Sequence, residues 1–206
     1  MNHPFAIAVF TGGLGTRIGG NKPSRLLAGR PLADHVKDRV SRWRAPLWEL
    51  VRQAGQGGLG GSEEICDASP PGVVLEGPLA GLYPALLRAE AEGRDLLTVP
   101  VDMPFLPDDL PGRLGAALVG ERGPVCAMAQ SHGRPHPVCT LWRGPVSGLI
   151  AEQAFAGQFS LKALAARAGV RHVIWTQAPD PFFNINTPEE LAEAQVLLAA
   201  ADRKVS

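Results

Sequence analysis

Hydrophobic and polar positions change rhythm several times along this chain, and each change marks an element. Phe5 to Phe10 (FAIAVF) is an unbroken apolar run, the pattern of a strand buried on both faces. It passes at once into TGGLGTRIGGNKPSR, whose first ten residues hold five glycines, so a backbone-rich loop follows the strand. From Pro31 the period lengthens. Leu32, His35, Val36, Arg39 and Val40 fall on one helical stripe behind a proline in a favoured first-turn position. Trp48 to Val51 predicts a second short strand, and the glycine-rich stretch from Gln53 to Gly61 carries no clear period. Leu79 to Glu92 predicts a helix after the turn Gly77-Pro78, and Leu96 to Val101 (LLTVPV) a central buried strand ending at Asp102. Asp108 begins a further helix. Val125 to Gln130 and Val138 to Trp142 are two strands joined through SHGRPH, Pro145 to Ala168 holds one or two helices, and Arg171 to Trp175 is a strand. Thr187-Pro188-Glu189-Glu190 combines an N-cap hydroxyl, Pro at the first helical position and Glu at the third, which starts a final helix from Pro188 to Ala201.

Strand then helix, repeated, predicts an α/β three-layer sandwich with a mostly parallel sheet, helices on both faces and ligands at the carboxyl ends of the strands. The 206 residues fit one domain, 1–206. Hydrophobic residues at 45% and charged residues at 19% describe a soluble globular chain rather than a disordered one. No apolar run approaches the roughly 18 residues a membrane helix needs. The start MNHPFAIAVF has neither a basic leader nor a cleavage site, so a cytoplasmic protein is expected. Cys66, Cys126 and Cys139 are odd in number and widely spaced, and read as reduced core thiols.

Twenty basic residues balance twenty acidic ones, which excludes a nucleic-acid coat or a membrane-surface binder. The distribution is uneven, since residues 1–60 hold nine Lys or Arg against three Asp or Glu. A basic first third suits a small polyanionic ligand. A solvated basic helix face through Lys37, Arg39, Arg42 and Arg44 is the alternative.

Gly12, Gly13, Gly15, Gly19 and Gly20 directly follow the first strand, where unhindered backbone N–H groups can converge on an anion. Arg17 and Lys22 add a forked donor and a mobile charge, so phosphate is the natural guest. The spacing fails a Walker A loop, because Asn21 precedes Lys22 and Pro23 follows it. A dinucleotide fingerprint through Gly13, Gly15 and Gly19 has one residue too many, and the second strand does not end in an acidic residue. What remains is a loop that wraps the triphosphate of an NTP. Asp102, at the end of a buried strand, is a Mg2+ position, since that ion takes one or two carboxylates plus phosphate oxygens and water. A turn former before Pro104 is the alternative. Asn184 and Asn186 offer amide oxygens to a metal or substrate, or serve as cap residues before Thr187. His132 and His136, separated by Gly133, Arg134 and Pro135, do not make a zinc pair.

Taken together, several segments resemble one family, the molybdenum cofactor guanylyltransferases, within the Rossmann-like nucleotidyltransferases. FTGGLGTRIGG is similar to the family's LAGG-x-x-x-RMGG loop, and EGPLAGL to its GPLAG turn. VPVDMPFLPDDL resembles the strand carrying the metal aspartate, HPVCTLWR the HP-x-x-x-L-x-R strand, and NINTPEEL the closing N-x-N-T-P-E-E-L. The resemblance implies a single-domain Rossmann-like fold. It also implies transfer of GMP from MgGTP to the terminal phosphate of a molybdopterin-type cofactor, with transient contact to molybdoenzymes or their chaperones. Phe10, Thr11, Gly12 and Gly13 would surround the GTP, with Arg17 and Lys22 on its phosphates. Asp67 would help hold the nucleotide, and Asp102 would bind Mg2+ and phosphates. Asn184 and Asn186 would lie near the reacting phosphates or the second substrate, and Gln53 is the nearest match to a further nucleotide contact. Two departures stand out. Thr11 replaces an alanine, and GGNK lacks the aspartate before the lysine and is one residue short, a spacing shared with related cytidylyltransferases. CTP in place of GTP, a sugar-phosphate acceptor, and a non-catalytic cofactor-handling adaptor therefore remain as alternatives.

Overall fold

A computed structural model of the chain describes residues 4–11, 22–121 and 123–202. In chain order the strands are β1 (Phe5–Phe10), β2 (Leu26–Leu27), β3 (Arg30–Pro31), β4 (Leu47–Val51), β5 (Glu63–Cys66), β6 (Asp95–Pro100), β7 (Val125–Ser131), β8 (Arg134–Arg143) and β9 (Val170–Trp175). The helices are α1 (Leu32–Ser41), α2 (Pro78–Ala91), α3 (Leu110–Ala117), α4 (Ser147–Phe155), α5 (Leu161–Arg167) and α6 (Pro188–Asp202). Seven strands form one sheet in the order β5-β4-β1-β6-β8-β7-β9, and only β8 runs against the others. The fold is a Rossmann-like α/β arrangement around a mixed, mostly parallel sheet. No helix among the described residues is long and apolar enough to cross a membrane.

Alternation along the central strands builds two cores. Ala6, Ala8, Leu96, Cys126 and Met128 face one side, against Leu79, Leu82 and Leu86 of α2, Ile150 of α4 and Leu161 and Leu164 of α5. Ile7, Val9, Leu97, Val99 and Ala127 face the other, against Val36 and Val40 of α1 and Leu110 and Leu114 of α3. Because both faces are covered, every residue of β6 is buried, and its sequence, DLLTVP, is apolar apart from Asp95 at its start and Thr98. A third cluster of Leu27, Leu32, Ile185 and Ala194 joins the β2–β3 hairpin and α1 to α6 and the segment before it.

Several local expectations change. Pro31 lies one step earlier than expected, at the N-cap of α1 and paired in β3. Asp108 and Asp109 precede α3 rather than bind its free N–H groups: Asp108 accepts from Arg39 at 2.8 Å and Asp109 from Trp175 Nε1 at 3.0 Å. Cys66 is exposed on β5, so only Cys126 and Cys139 are core thiols, and burial pushes the Cys126 thiol up to about 12. The expected six-residue connection SHGRPH tightens to the two residues His132 and Gly133, whose φ values of 45° and 75° suit a type I′ hairpin turn.

The aperiodic stretch from Gln53 to Gly61 is held by two carboxylates. Glu49, only 1% exposed, accepts from the N–H groups of Gly58 and Leu59 at 2.7 and 2.9 Å, and Glu64 accepts from Gly55 and Gly57 at 2.6 and 2.7 Å. A Cβ at Gly57 would lie 2.4 Å from Glu64 Oε1 and 2.7 Å from Glu49 Oε2, so a side chain there would have to push both carboxylate ends aside. This loop therefore wraps its own acids. The basic face of α1 is similarly engaged: Lys37 donates to the Gly60 carbonyl, Arg39 and Arg42 pair with Asp108, and Arg30 pairs with Asp38. Of the four cations in the solvated-helix alternative, Lys37, Arg39 and Arg42 are thus held by groups of the chain itself, and Arg44 lies past the helix with φ 51°.

Candidate active site

All parallel strands end at one edge of the sheet, and Phe10, Thr11, Asp67, Asp102, Asn184 and Asn186 lie at or next to that edge. Phe10 closes β1, and its carbonyl accepts from the Val101 N–H at 3.1 Å, which pins the end of β6 to the end of β1. Thr11 is buried, and its hydroxyl donates to the Leu50 carbonyl at 3.1 Å. The hydroxyl thus anchors the chain to β4 as it enters the glycine stretch, and turns the side chain toward the sheet rather than a ligand. Gly12, Gly13 and Arg17 lie outside the described residues. Lys22 opens a single 3₁₀ turn, Lys22–Ser24, and its side chain also lies outside them. Gln53 is exposed just past β4, where its backbone N–H donates to Gln56 Oε1 at 3.2 Å.

Asp102 follows β6, and its carbonyl accepts from the Ile185 N–H at 3.0 Å. That bond lays Asn184 and Asn186 across the strand end, while the buried Ile185 side chain seals the segment into the third core cluster. The Asn184 Oδ1 is enclosed and accepts no hydrogen bond among the described residues. A buried amide oxygen in that condition carries a desolvation cost that a cation or donor would relieve. Asn186 begins the cap of α6: its N–H and that of Thr187 donate to Glu190 Oε2 at 2.6 and 2.9 Å, and Glu190 N–H donates to Thr187 Oγ1 at 3.1 Å. The reciprocal bonds form the capping box expected from TPEE. The charge of Asp102 is felt beneath the edge, where burial and that charge push the Cys139 thiol well up.

Asp67 follows β5, and its N–H donates to Val51 O at 2.9 Å. Its position explains the glycines of GPLAG. Gly77 enters α2 with φ 63°, a conformation that disfavours a side chain. A Cβ at Gly81 would stand 3.2 Å from Asp67 Oδ1 and 3.4 Å from Leu50 Cβ, so the absent side chain lets the carboxyl lie against the helix. Partial burial raises the Asp67 carboxyl above its ordinary range, opposed by Arg52. Its contribution to stability is therefore complete below the unfolded value of about 3.9, and is lost as pH rises through the higher folded value. Asp67→Asn is expected to raise the melting temperature at neutral pH and to flatten this part of the pH profile. Melting curves from acid to neutral pH check it, and a variant less stable than the parent at neutral pH contradicts it.

A strand-end aspartate and an enclosed amide oxygen stand at the sheet edge where β1 ends, an arrangement suited to a nucleotide. Comparison with known proteins agrees. A family model described as the MobA-like NTP transferase domain matches residues 7–174. The chain belongs to that family. Among relatives of this MobA-like transferase domain, the molybdenum cofactor guanylyltransferase of Cereibacter sphaeroides is 37% identical over 198 residues, covering 92% of this chain and 95% of that protein. The same-named protein of Acidiphilium cryptum (strain JF-5) is 36% identical over 200 residues, covering 91% and 92%. The solved molybdopterin-guanine dinucleotide biosynthesis protein A from Archaeoglobus fulgidus has a TM-score of 0.73 at 22% identity, covering 95% of this chain and all of that one. CMP:2-keto-3-deoxy-manno-octonic acid synthetase complexed with CTP has a TM-score of 0.67 at 14% identity, covering 96% and 99%. At such identities the two structures establish the fold.

Two groups in the MobA-like domain escape a reading by motif. HPVCTLWR is one strand with two ends, and Arg143 lies at the edge far from Asp102, in an ion pair with Asp95. His136 lies at the near edge. Its Nε2 is 2.8 Å from Ser131 Oγ, which is 2.9 Å from Asp180 Oδ2, and its ring stacks on Phe182 at 4.7 Å. Burial lowers the His136 pKa, with Asp180 opposing and Arg134 assisting, which favours the neutral ring. The HP dipeptide was the signal available in the sequence; Ser131 and Asp180 carried none.

Proposed function

We propose that this MobA-like nucleotidyltransferase moves GMP from MgGTP to the terminal phosphate of a molybdopterin-type cofactor. An oxygen of the acceptor phosphate attacks the α-phosphorus, the bond from that phosphorus to the bridging oxygen breaks, and pyrophosphate leaves with the electron pair. A phosphate monoester carries roughly −1.5 to −2 charge at neutral pH, so its oxygen needs no strong general base. The observation that carries the reading is the Ile185 N–H bond to the Asp102 carbonyl, which gathers Asp102, Asn184 and Asn186 beside the end of β1. The relatives' name supplies the nucleotide and the acceptor.

The residues present fit a magnesium ion that shares its shell with substrate. Asp102 offers a carboxylate, Asn184 an enclosed amide oxygen, and both are the hard oxygen donors that ion prefers. Among the described residues no three His, Cys, Asp or Glu side chains form a set that could hold a metal by themselves. Magnesium, when bound, supplies charge neutralisation on the phosphate oxygens. The chain's own part is positioning and electrostatics. Arg17 and Lys22 would neutralise the triphosphate, the Thr11 anchor on Leu50 sets where the glycine stretch begins, and Asp67 and Gln53 would contact the nucleotide. Product would pass to a molybdoenzyme or its chaperone.

The short spacing from Arg17 to Lys22 favours a second reading, cytidylyl transfer on the same fold. Thermal stabilisation by each NTP with Mg2+ separates the two. A ligand at about 100 times its Kd adds roughly 2.7 kcal/mol of apparent stability. For a chain this long that is a rise of roughly 5 to 10 °C in Tm. We expect the larger shift, and pyrophosphate release with molybdopterin cofactor, from GTP. A larger shift and release with CTP transfers the assignment to cytidylyl transfer, and no shift with any NTP removes both.

A further inference from the structure

The cluster Ser131, His136, Asp180 and Phe182 stands at the same sheet edge as Asp102 but is not used by the reaction above. Its proton arrangement follows from donor counting. An ionised carboxylate only accepts, so the single Ser131 hydroxyl proton goes to Asp180 Oδ2, at 2.9 Å. Ser131 Oγ must then accept from His136, whose proton is therefore on Nε2, across 2.8 Å. The other Asp180 oxygen, Oδ1, accepts from the Phe182 N–H at 2.9 Å. Phe182 closes the circuit by stacking on His136, with an interplanar angle of 15°. Behind it Trp175 meets Phe182 edge-on at 5.2 Å, and Arg113 covers the Trp175 ring at 4.2 Å.

These contacts hold both ends of the turn at Asp180 and Phe182, three residues before Ile185. We propose that His136 is a positioning residue that, through Ser131 and Phe182, fixes the segment carrying Asn184 and Asn186 onto the carbonyl of Asp102. The proposal rests on the reading of those two asparagines as facing the reacting phosphates. It assigns the first residue of HPVCTLWR to the reaction without contact to substrate. Ser131 and His136 act as one link, so cutting either releases the same segment.

The test has one arm that needs no substrate. Amide hydrogen exchange of the full-length protein reads the Ile185 N–H directly. In Ser131→Ala and in His136→Phe, which keeps a ring on Phe182 but loses the donor, exchange at Phe182 and Ile185 should quicken about tenfold, the scale of one lost hydrogen bond. Amides of β6 should stay as protected as in the parent. The double variant should be no faster than either single one. In pyrophosphate release both variants should lower kcat about tenfold with the KM for GTP unchanged, and His136→Gln, which restores an N–H donor, should recover part of it. Unchanged exchange at Ile185, additive effects, or a rise in KM alone would each overturn the positioning role. If the parent protein releases no pyrophosphate, the functional reading fails while the exchange result still decides the role of His136.

Discussion

Asp102→Ala is expected to lower nucleotidyl transfer by roughly a thousandfold or more, the scale lost when a preorganised charge or metal ligand is removed from a phosphate-handling site. The fold should survive. β6 is held by its own buried residues, by its ladders to β1 and β8, and by the Val101 N–H bond to Phe10. The contact from Asp102 to Ile185 uses the backbone carbonyl, which alanine keeps. The Cys139 thiol, now pushed up in part by the Asp102 charge, should also become easier to ionise. Pyrophosphate release and far-UV circular dichroism on the same preparation check both halves. Asp102→Asn should match Asp102→Ala in rate, because it keeps the shape and loses the charge. A near-normal rate in either variant removes Asp102 from the mechanism, and a collapsed spectrum shows that the carboxylate serves the fold instead.

The parts of the molecule that were legible in the sequence are those where burial on both sides leaves one choice of residue. β1 is apolar throughout, and β6 apart from Asp95 and Thr98, because helices cover both faces, and a run of that kind announces itself. β5 did not, because at the sheet edge only Ile65 of its four residues is buried, and Glu63 and Glu64 look like loop. The same distinction applies at the site. Asp102 was marked by the strand it ends, and Thr187 and Glu190 by a local spacing that a capping box requires. Ser131 and Asp180 were not marked, since they meet 49 residues apart and their types carry no spacing signal. His136 was weighed against His132 as a metal pair, whereas its partners come from β7 and from the segment before α6. Glu49, an acid inside a strand, was equally silent until the loop it anchors was in view.

Arg143→Ala is expected to cost about 3 to 5 kcal/mol, because it takes the bidentate guanidinium away from the buried carboxylate of Asp95. Asp95 is 2% exposed and the Arg143 side chain 16%, so solvent does little to weaken the pair. The geometry is bidentate, with Arg143 Nε at 3.1 and 3.0 Å from the two oxygens and Nη2 at 2.7 Å, and Nη1 donates to the Leu118 carbonyl at the end of α3. One side chain thus ties the start of β6, the end of β8 and the carboxyl end of α3, where a cation also meets the helix dipole favourably. Thermal melting should show Tm lower by roughly 10 °C or more in a chain of this length. Asp95→Leu combined with Arg143→Leu should recover much of that loss, since neither charge is then left buried alone. Asp95 and Asp102 are separated by seven residues of near-extended chain, about 20 Å along the sheet. Below the melting range the KM for GTP and kcat should therefore stay near those of the parent. The opposite result, a stable Arg143→Ala protein with impaired turnover, would place this end of HPVCTLWR in the chemistry.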